Sequence, residues 1–83
     1  MTLTQTPGAA QAAQLDARGL KCPMPIVKTA QAIKTVAPGE LLEVLSTDPG
    51  SVADFSAWSR STGNQLVTSS DQDGVYRFVL RRK

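Results

Sequence analysis

The sequence contains no histidine and a single cysteine, Cys22, and both scarcities exclude whole classes of site. Without histidine, a zinc site of mixed cysteine and histidine ligands cannot form, and the usual general base of cysteine proteases and serine hydrolases is missing. One cysteine cannot close a disulfide within the chain. We therefore expect no metal and no cofactor, so that any chemistry rests on the sulfur itself.

Aromatic residues and net charge are also scarce. Aromatic residues make up 5% of the chain, and the net charge is +2, with much of the basic excess in the terminal Arg81-Arg82-Lys83. Surfaces that bind nucleic acids usually combine a larger positive excess with interleaved aromatic residues. We therefore expect a solvated basic end, and we do not expect nucleic acid as a partner.

Long apolar runs are missing as well. No run approaches the length of a membrane span, and the first residues lack the basic residues and the apolar core of a secretory signal. A lone free thiol suits a reducing compartment. The sequence therefore predicts a cytoplasmic protein without direct membrane insertion.

The 83 residues are enough for one small domain, which buries only about 60% of the surface of its unfolded chain. Residues 1–14 are rich in alanine, glutamine, threonine and proline and carry no charged side chain. This composition predicts a disordered tail, followed by a folded domain over residues 15–83.

Apolar periodicity and turn residues predict three elements in the first part of the domain. Alternating residues 15–18 predict a strand that ends at Gly19. Apolar residues at helical spacing predict a helix from about residue 23 to 36, which Pro38 and Gly39 stop. The apolar run 41–47 is too short for a typical helix and predicts a central strand.

A second helix is predicted after this strand, with two possible starts. Either Asp48 is the N-cap, or Ser51 is the N-cap with Asp54 three residues on. Gly63 is expected to end the helix, and Trp58 is expected to be half-buried in the core rather than a base-stacking platform. The residues expected to line the buried side are Val52, Phe55, Ser59 and Thr62.

The end of the chain predicts a hairpin of two strands, over residues 65–69 and 75–81, joined by residues 71–74 with an Asp-Gly pair. Tyr76, Phe78 and Leu80 share one side of the last strand, and Arg77 and Arg81 point to the other. The element order βαβαββ predicts an α/β (α+β) two-layer sandwich, with a four-stranded mixed sheet and two helices on one face.

Cys22 lies where the first helix is predicted to begin. Pro23 suits the first helical position, so Cys22 falls at or beside the N-cap, and Pro23 and Pro25 are expected to fix the loop. Free cysteines are often buried like small hydrophobic residues, but the flanking Lys21 and prolines argue against a core position here. We therefore predict an exposed, reactive thiol.

Positive charge near the sulfur is expected to lower the pKa of Cys22. A helix N-terminus presents unpaired N–H groups and about half a positive charge, both of which favour an anion. Lys21 is adjacent in sequence, and Arg18 and Lys28 are close by. The sequence therefore predicts a thiolate assisted by Lys21 and Arg18.

A set of residues spread over the domain resembles the TusA/SirA-like sulfur-carrier family. The resemblance covers about residues 15–83 and is centred on the Cys-Pro-x-Pro motif, which is specific when a helix follows it in a short βαβαββ chain. The matching residues are Leu15-Asp16, Gly19-Leu20, Cys22-Pro23-Met24-Pro25, Gly39, Asp48-Pro49, Asp54, Trp58, Gly63, Leu66 and Tyr76-Arg77-Phe78.

The resemblance implies a fold like the C-terminal domain of translation initiation factor three, and a sulfurtransferase or sulfur-carrier role for Cys22. Such a cysteine takes sulfane sulfur as a persulfide from a cysteine desulfurase or another donor protein and hands it to an acceptor protein. Branches of the family serve tRNA 2-thiouridine, molybdenum cofactor or sulfur oxidation. Both steps need an accessible, anion-stabilised sulfur, and a second cysteine that could resolve the persulfide is missing.

Met24 and Asn64 depart from the pattern of the family. Met24 stands where the tRNA-thiolation branch often has an acidic residue and is expected to contact a partner, and Asn64 stands where many relatives carry histidine.

The alternative function is that of a non-catalytic module that binds RNA or a regulatory protein through the basic C-terminal strand with Arg77, Arg81 and Arg82. Regulation of membrane transport of sulfur compounds is a third possibility.

Overall fold

The computed structural model describes residues 13–83. Two helices and four strands account for most of this range, and a 3₁₀ turn over Ile33–Thr35 extends the first helix. Within this part of the chain, neither helix is both long and apolar enough to cross a membrane. In chain order the elements are β1 (Ala13–Ala17), α1 (Met24–Ala32), β2 (Leu41–Ser46), α2 (Ser51–Thr62), β3 (Gln65–Gln72) and β4 (Val75–Arg81).

The four strands form one mixed sheet in the order β1-β2-β4-β3. β1 pairs in parallel with β2, while β4 pairs antiparallel with both β2 and β3. Side chains of the sheet and of both helical segments bury one another in a single core cluster, so the helices cover one face. The predicted two-layer α/β sandwich is confirmed.

The core lies between this sheet face and the helices. In β2, every second residue is buried, and Leu42 and Val44 lie opposite Leu80 and Phe78 of β4. Phe55 of α2 is fully buried and stacks on Phe78, with ring centroids 4.3 Å apart and an interplanar angle of 16°. An aromatic pair in this arrangement holds α2 against the centre of the sheet.

The buried side of α2 differs from the prediction at its first turn. Val52 was expected inside, but its side chain is 45% exposed, and the neighbouring Ser51 is buried instead. The reason is a hydrogen bond of 2.7 Å between the hydroxyls of Ser51 and Ser46, which holds Ser51 inside, while Phe55 is buried as expected. Trp58, as expected, is half-buried and packs against the core.

Neither residue expected to cap α2 does so. Gly50 occupies the N-cap position and makes no capping side-chain bond, while Asp48 accepts a hydrogen bond from the Gly50 N–H at 3.2 Å. The C-terminal prediction is confirmed, because Gly63 has a φ of 84° and its N–H bonds to the carbonyl of Ser59.

Three other element boundaries differ from the prediction by one to three residues. Ala13 and Gln14, assigned to the tail, belong to β1, because they pair with β2 and the Gln14 amide donates to Glu43 at 2.7 Å. The other tail residues, 1–12, lie outside the described residues. Pro23 is the N-cap of α1 rather than its first residue. The strand β3 continues to Gln72, which leaves a two-residue turn with positive φ at both positions.

Replacing Phe55 with alanine should lower the free energy of unfolding by about 3–5 kcal/mol, because it removes a fully buried ring stacked on Phe78. Urea unfolding followed by circular dichroism measures the loss. Val67→Ala is the matched control, since this β3 side chain is 41% exposed and should cost about 1 kcal/mol or less. Equal losses in the two variants would contradict the assigned core.

Candidate active site around Cys22

The parallel pairing of β1 with β2 decides where the site forms. Ala17, the last residue of β1, lies opposite Ser46, the last residue of β2, so both strands end at the same edge of the sheet. Each strand is followed by a loop and a helix, and α1 and α2 contact one another. The loop before α1 carries Cys22, and the first turn of α2 carries Asp54, so the topology brings the two together.

The segment between β1 and α1 makes two tight turns that leave Cys22 exposed. Gly19 adopts a φ of 83°, a conformation that glycine takes without steric cost, and the Leu20 N–H bonds to the carbonyl of Ala17 at 3.2 Å. The Met24 N–H bonds to the carbonyl of Lys21 at 2.8 Å. The prediction of an exposed thiol beside the helix start is confirmed.

Three hydrogen bonds tie this loop to the residues that follow β2. The Gly19 N–H donates to the hydroxyl of Thr47 at 2.9 Å, and the Cys22 N–H donates to Oδ2 of Asp48 at 2.7 Å. The Cys22 thiol itself donates to Oδ2 of Asp54, with 2.9 Å between sulfur and oxygen. The cysteine is therefore held by two carboxylates that come from a different part of the chain.

Buried hydroxyl groups set the position of Asp48. The Ser46 hydroxyl accepts the Asp48 backbone N–H at 3.2 Å and is bonded to the hydroxyl of Ser51, and both serines are fully buried. The Asp48 carbonyl accepts the Ser51 N–H at 2.9 Å. The end of β2 and the start of α2 thus form one bonded unit that presents the Asp48 carboxylate to Cys22.

The two prolines of the motif have different environments. Pro23 is exposed at the N-cap and joins Cys22 through a cis peptide bond, while Pro25 is fully buried. The carbonyl of Pro25 accepts the buried hydroxyl of Thr29 at 2.8 Å. Pro25 therefore anchors the first turn of α1 in the core, and Pro23 lies at the surface next to the sulfur.

The charge around the sulfur is opposite to the one expected. The hydrogen bond to Asp54, desolvation and the negative charges of Asp54 and Asp48 together raise the pKa of the Cys22 thiol above its ordinary value. The prediction that the helix end would stabilise a thiolate is wrong for the free chain. Pro25 has no N–H, and the Met24 N–H is bonded to Lys21, so α1 offers fewer donors than a regular helix start.

The supporting residues Arg18 and Lys21 lie on the same loop. The Arg18 guanidinium binds both carboxylate oxygens of Asp16, at 2.8 and 2.9 Å, and lowers the pKa of Asp16 to about 2. The positive charge of Arg18 is therefore opposed by its own neighbour. Lys21 is exposed beside Cys22, and its assistance to the thiol stays a prediction.

Exposed apolar side chains lie on the early turns of both helices, and a shallow groove is lined by residues next to Cys22 in sequence. Met24 and Val27 on α1 are 39% and 38% exposed, and Val52 on α2 is also exposed. The three residues belong to the early turns of the two helices that meet at Cys22. A groove of about 330 Å³ next to the site is lined by Gly19, Leu20, Lys21, Thr47, Asp48 and Pro49. The site is open enough for another protein to reach the sulfur.

The three arginines of the alternative RNA-binding function each make a polar contact within the domain. Arg77 forms an ion pair with Glu43 on the sheet face away from the helices, and this hydrogen bond lowers the pKa of Glu43. Arg82 donates to the carbonyls of Val36 and Lys34, at 2.6 and 3.3 Å. Arg81 lies within 3.4 Å of the Gly39 carbonyl. Their use in RNA binding stays a prediction.

Sequence reasoning gave Asp48 and Asp54 only capping roles and missed their contact with Cys22. The available signal was their position, because Asp48 follows the second strand and Asp54 lies in the first turn of the helix after it, just as Cys22 lies between the first strand and its helix. Parallel pairing of the two strands places all three residues at the same edge of the sheet.

The alkylation rate of Cys22 by iodoacetamide should reach half its maximum at a higher pH in the folded chain than in the same chain unfolded in urea. The reason is that only the thiolate reacts, and the carboxylates of the fold raise the pKa of the thiol. By linkage, the stability contributed by this contact is present at neutral pH and is lost as pH rises through the folded pKa. Equal midpoints, or a lower one in the folded chain, would contradict the assigned contacts.

Comparison with known proteins agrees with this fold and shows the family. The family described as Sulfurtransferase TusA matches residues 13–82. Sulfur carrier protein TusA of Allochromatium vinosum is 41% identical over 83% of this chain and 91% of its own, and that of Pseudomonas paraeruginosa is 37% identical over 83% and 87%. The crystal structure of a SirA-like protein from Desulfitobacterium hafniense has the same fold, with a TM-score of 0.73 at 21% identity, covering 83% of this chain and 95% of that one. The chain belongs to the TusA family of sulfurtransferases.

Proposed function

We propose that this protein is a sulfur carrier that holds sulfane sulfur as a persulfide on Cys22. The observation that carries the proposal is the exposed thiol of Cys22, presented where the two helices begin, in a chain of the TusA family. The sequence has no second cysteine that could attack the persulfide and release its sulfur as a disulfide is formed. A single exposed thiol therefore suits carriage better than redox cycling.

Loading transfers one sulfur atom and needs no external oxidant or reductant. The sulfur of Cys22 attacks the outer sulfur of a donor persulfide, R–S–SH, and the S–S bond of the donor breaks. The products are the Cys22 persulfide and the donor thiol, R–SH. Unloading is the same reaction with the Cys22 persulfide as the donor. An acceptor thiol attacks the outer sulfur on Cys22, and the free Cys22 thiol is restored.

The donor and the acceptor are proposed to be proteins. A cysteine desulfurase or another persulfide-bearing protein supplies the sulfur, and a downstream acceptor protein takes it toward tRNA 2-thiouridine, molybdenum cofactor or sulfur oxidation. Met24, Val27 and Val52 are exposed on the early turns of the two helices, and we call them the apolar rim. This rim supports such a relay, because exposed apolar side chains near a reactive atom suit transient contact with a partner. Met24 is the residue of this rim nearest to Cys22 in sequence.

Incubation with a cysteine desulfurase and cysteine should add sulfur to Cys22, observed by mass spectrometry as about 32 Da per atom. Cys22→Ser should take up none, because it lacks the thiol. The side chain of Cys22 is exposed, so the serine variant should unfold within about 0.5 kcal/mol of the parent. Persulfide formation that persists in the serine variant would refute the assignment.

Met24→Glu should change the ratio of the transfer rates from two different donor proteins. Any effect of the new charge on the thiol acts equally on both donors, so the ratio reports the docking contact alone. Val67→Glu is the matched control, because Val67 has nearly the same exposure and lies on β3. An unchanged ratio in Met24→Glu would show that Met24 does not distinguish between donors.

A further inference from the structure

Loading of Cys22 requires a proton acceptor, and the usual one is missing from this chain. The sulfur must lose its proton when it attacks the donor, yet the structure holds it as a thiol that donates a hydrogen bond. The sequence contains no histidine to remove the proton. The group that receives the hydrogen bond is the carboxylate of Asp54.

We propose that Asp54 is the general base of sulfur transfer, and that its Oδ2 takes the proton of the Cys22 thiol as the sulfur attacks the donor. The inference rests on the proposed function and assigns a catalytic residue to it. Sulfur and Oδ2 lie 2.9 Å apart, which is within the reach that direct proton transfer requires.

Asp54 is positioned for this role by its own helix. Its backbone N–H bonds to the carbonyl of Gly50 at 3.1 Å, and it lies in the first turn of α2 with a partly buried side chain. The first turn of the helix therefore holds the Asp54 carboxylate against the thiol.

Asp48 faces the same cysteine but has a different task. Its Oδ2 accepts the backbone N–H of Cys22, and its Oδ1 accepts the N–H of Gly50. Both oxygens are engaged with the backbone, so Asp48 positions the loop while Asp54 contacts the reacting atom. The charged groups that act on the sulfur are thus Asp54 from α2 and Asp48 from the loop after β2.

The large gap between the two acidities explains why the proton moves only during the reaction. An ordinary thiol has a pKa about 4 units above that of a carboxyl group, so in the resting protein the proton stays on sulfur. As the new S–S bond forms, the sulfur loses its basicity and the carboxylate becomes the better proton acceptor. The free carrier is thus neutral, and the base acts when a donor arrives.

The proton passes from Sγ to Oδ2, the electron pair of the S–H bond forms the bond to the outer sulfur of the donor, and the donor S–S pair leaves on the donor sulfur. Asp54 then returns the proton to that leaving thiolate and is again a carboxylate. The inner sulfur of the donor is reduced by as much as the sulfur of Cys22 is oxidised, so no further reagent is consumed.

Asp54→Asn tests the proposal, because it preserves the shape of the side chain but cannot accept the proton. Two rates are compared at pH 7: alkylation of Cys22 by iodoacetamide, and uptake of sulfur from glutathione persulfide, measured by mass spectrometry. Alkylation uses the fraction of thiol that is already ionised and releases iodide, which needs no proton, so it should become faster when the negative charge next to the thiol is removed. Sulfur uptake should become about 100-fold slower, since general base catalysis is lost.

A matched control and a pH profile separate catalysis from structure. Glu40→Gln removes the same charge at the opposite edge of the sheet, just before β2, and should change neither rate. Above the pKa of the thiol, the Asp54→Asn variant should regain the parent rate of sulfur uptake, because solvent then removes the proton. A variant that was merely misfolded would not recover.

The results that would overturn the proposal are distinct from those that overturn the proposed function. If Asp54→Asn accelerates both reactions, or leaves sulfur uptake unchanged at pH 7, Asp54 is not the base. If the parent chain takes up no sulfur on Cys22 from glutathione persulfide or from a desulfurase, the carrier function fails, and the assigned base fails with it.

Discussion

Parallel pairing of β1 with β2 is the constraint on which the site depends. Parallel neighbours need a crossover connection, and here α1 supplies it, so the chain must leave β1 and enter a helix at the edge where β2 also ends. The thiol and the two carboxylates are separated by 26 and 32 residues in sequence. They meet because the two strands end side by side, with Ala17 opposite Ser46.

A buried pair of hydroxyls maintains this arrangement. Serines at the end of a central strand and at the start of a helix would each be costly to bury alone, since an unpaired buried hydroxyl costs about 1–3 kcal/mol. Ser46 and Ser51 satisfy one another, and Ser46 also accepts the N–H of Asp48. Serine at these two positions buries less apolar surface than an aliphatic residue would, but its hydrogen bonds fix the orientation of the carboxylates that follow.

Local patterns were sufficient for the sequence to predict most of the fold. The alternation in β4 placed Phe78 and Leu80 inside, the glycine at position 63 ended α2, and the Asp-Gly pair formed the hairpin turn. Each of these signals depends on residues close together in sequence. The exposure of Cys22 followed in the same way, from the prolines and the lysine next to it.

Contacts between different elements could not be predicted in this way. Val52 was assigned to the core by helical spacing, but a hydrogen bond from the end of β2 to the start of α2 placed Ser51 there. The pKa of Cys22 was expected to fall because only neighbours in sequence were considered, whereas carboxylates from beyond β2 raise it. A charge or a hydrogen bond at 3 Å outweighs the partial charge of a helix end, and only the tertiary structure determines which groups come that near.

The contact between Cys22 and Asp54 also affects how readily peroxide oxidises Cys22. Peroxide attacks thiolates and leads through sulfenic acid to sulfinic acid, a state from which a cysteine is rarely recovered. A sulfur kept protonated by an adjoining carboxylate is a poor target for this chemistry, although it is exposed. The same hydrogen bond that keeps the resting thiol unreactive thus protects the single cysteine from irreversible oxidation.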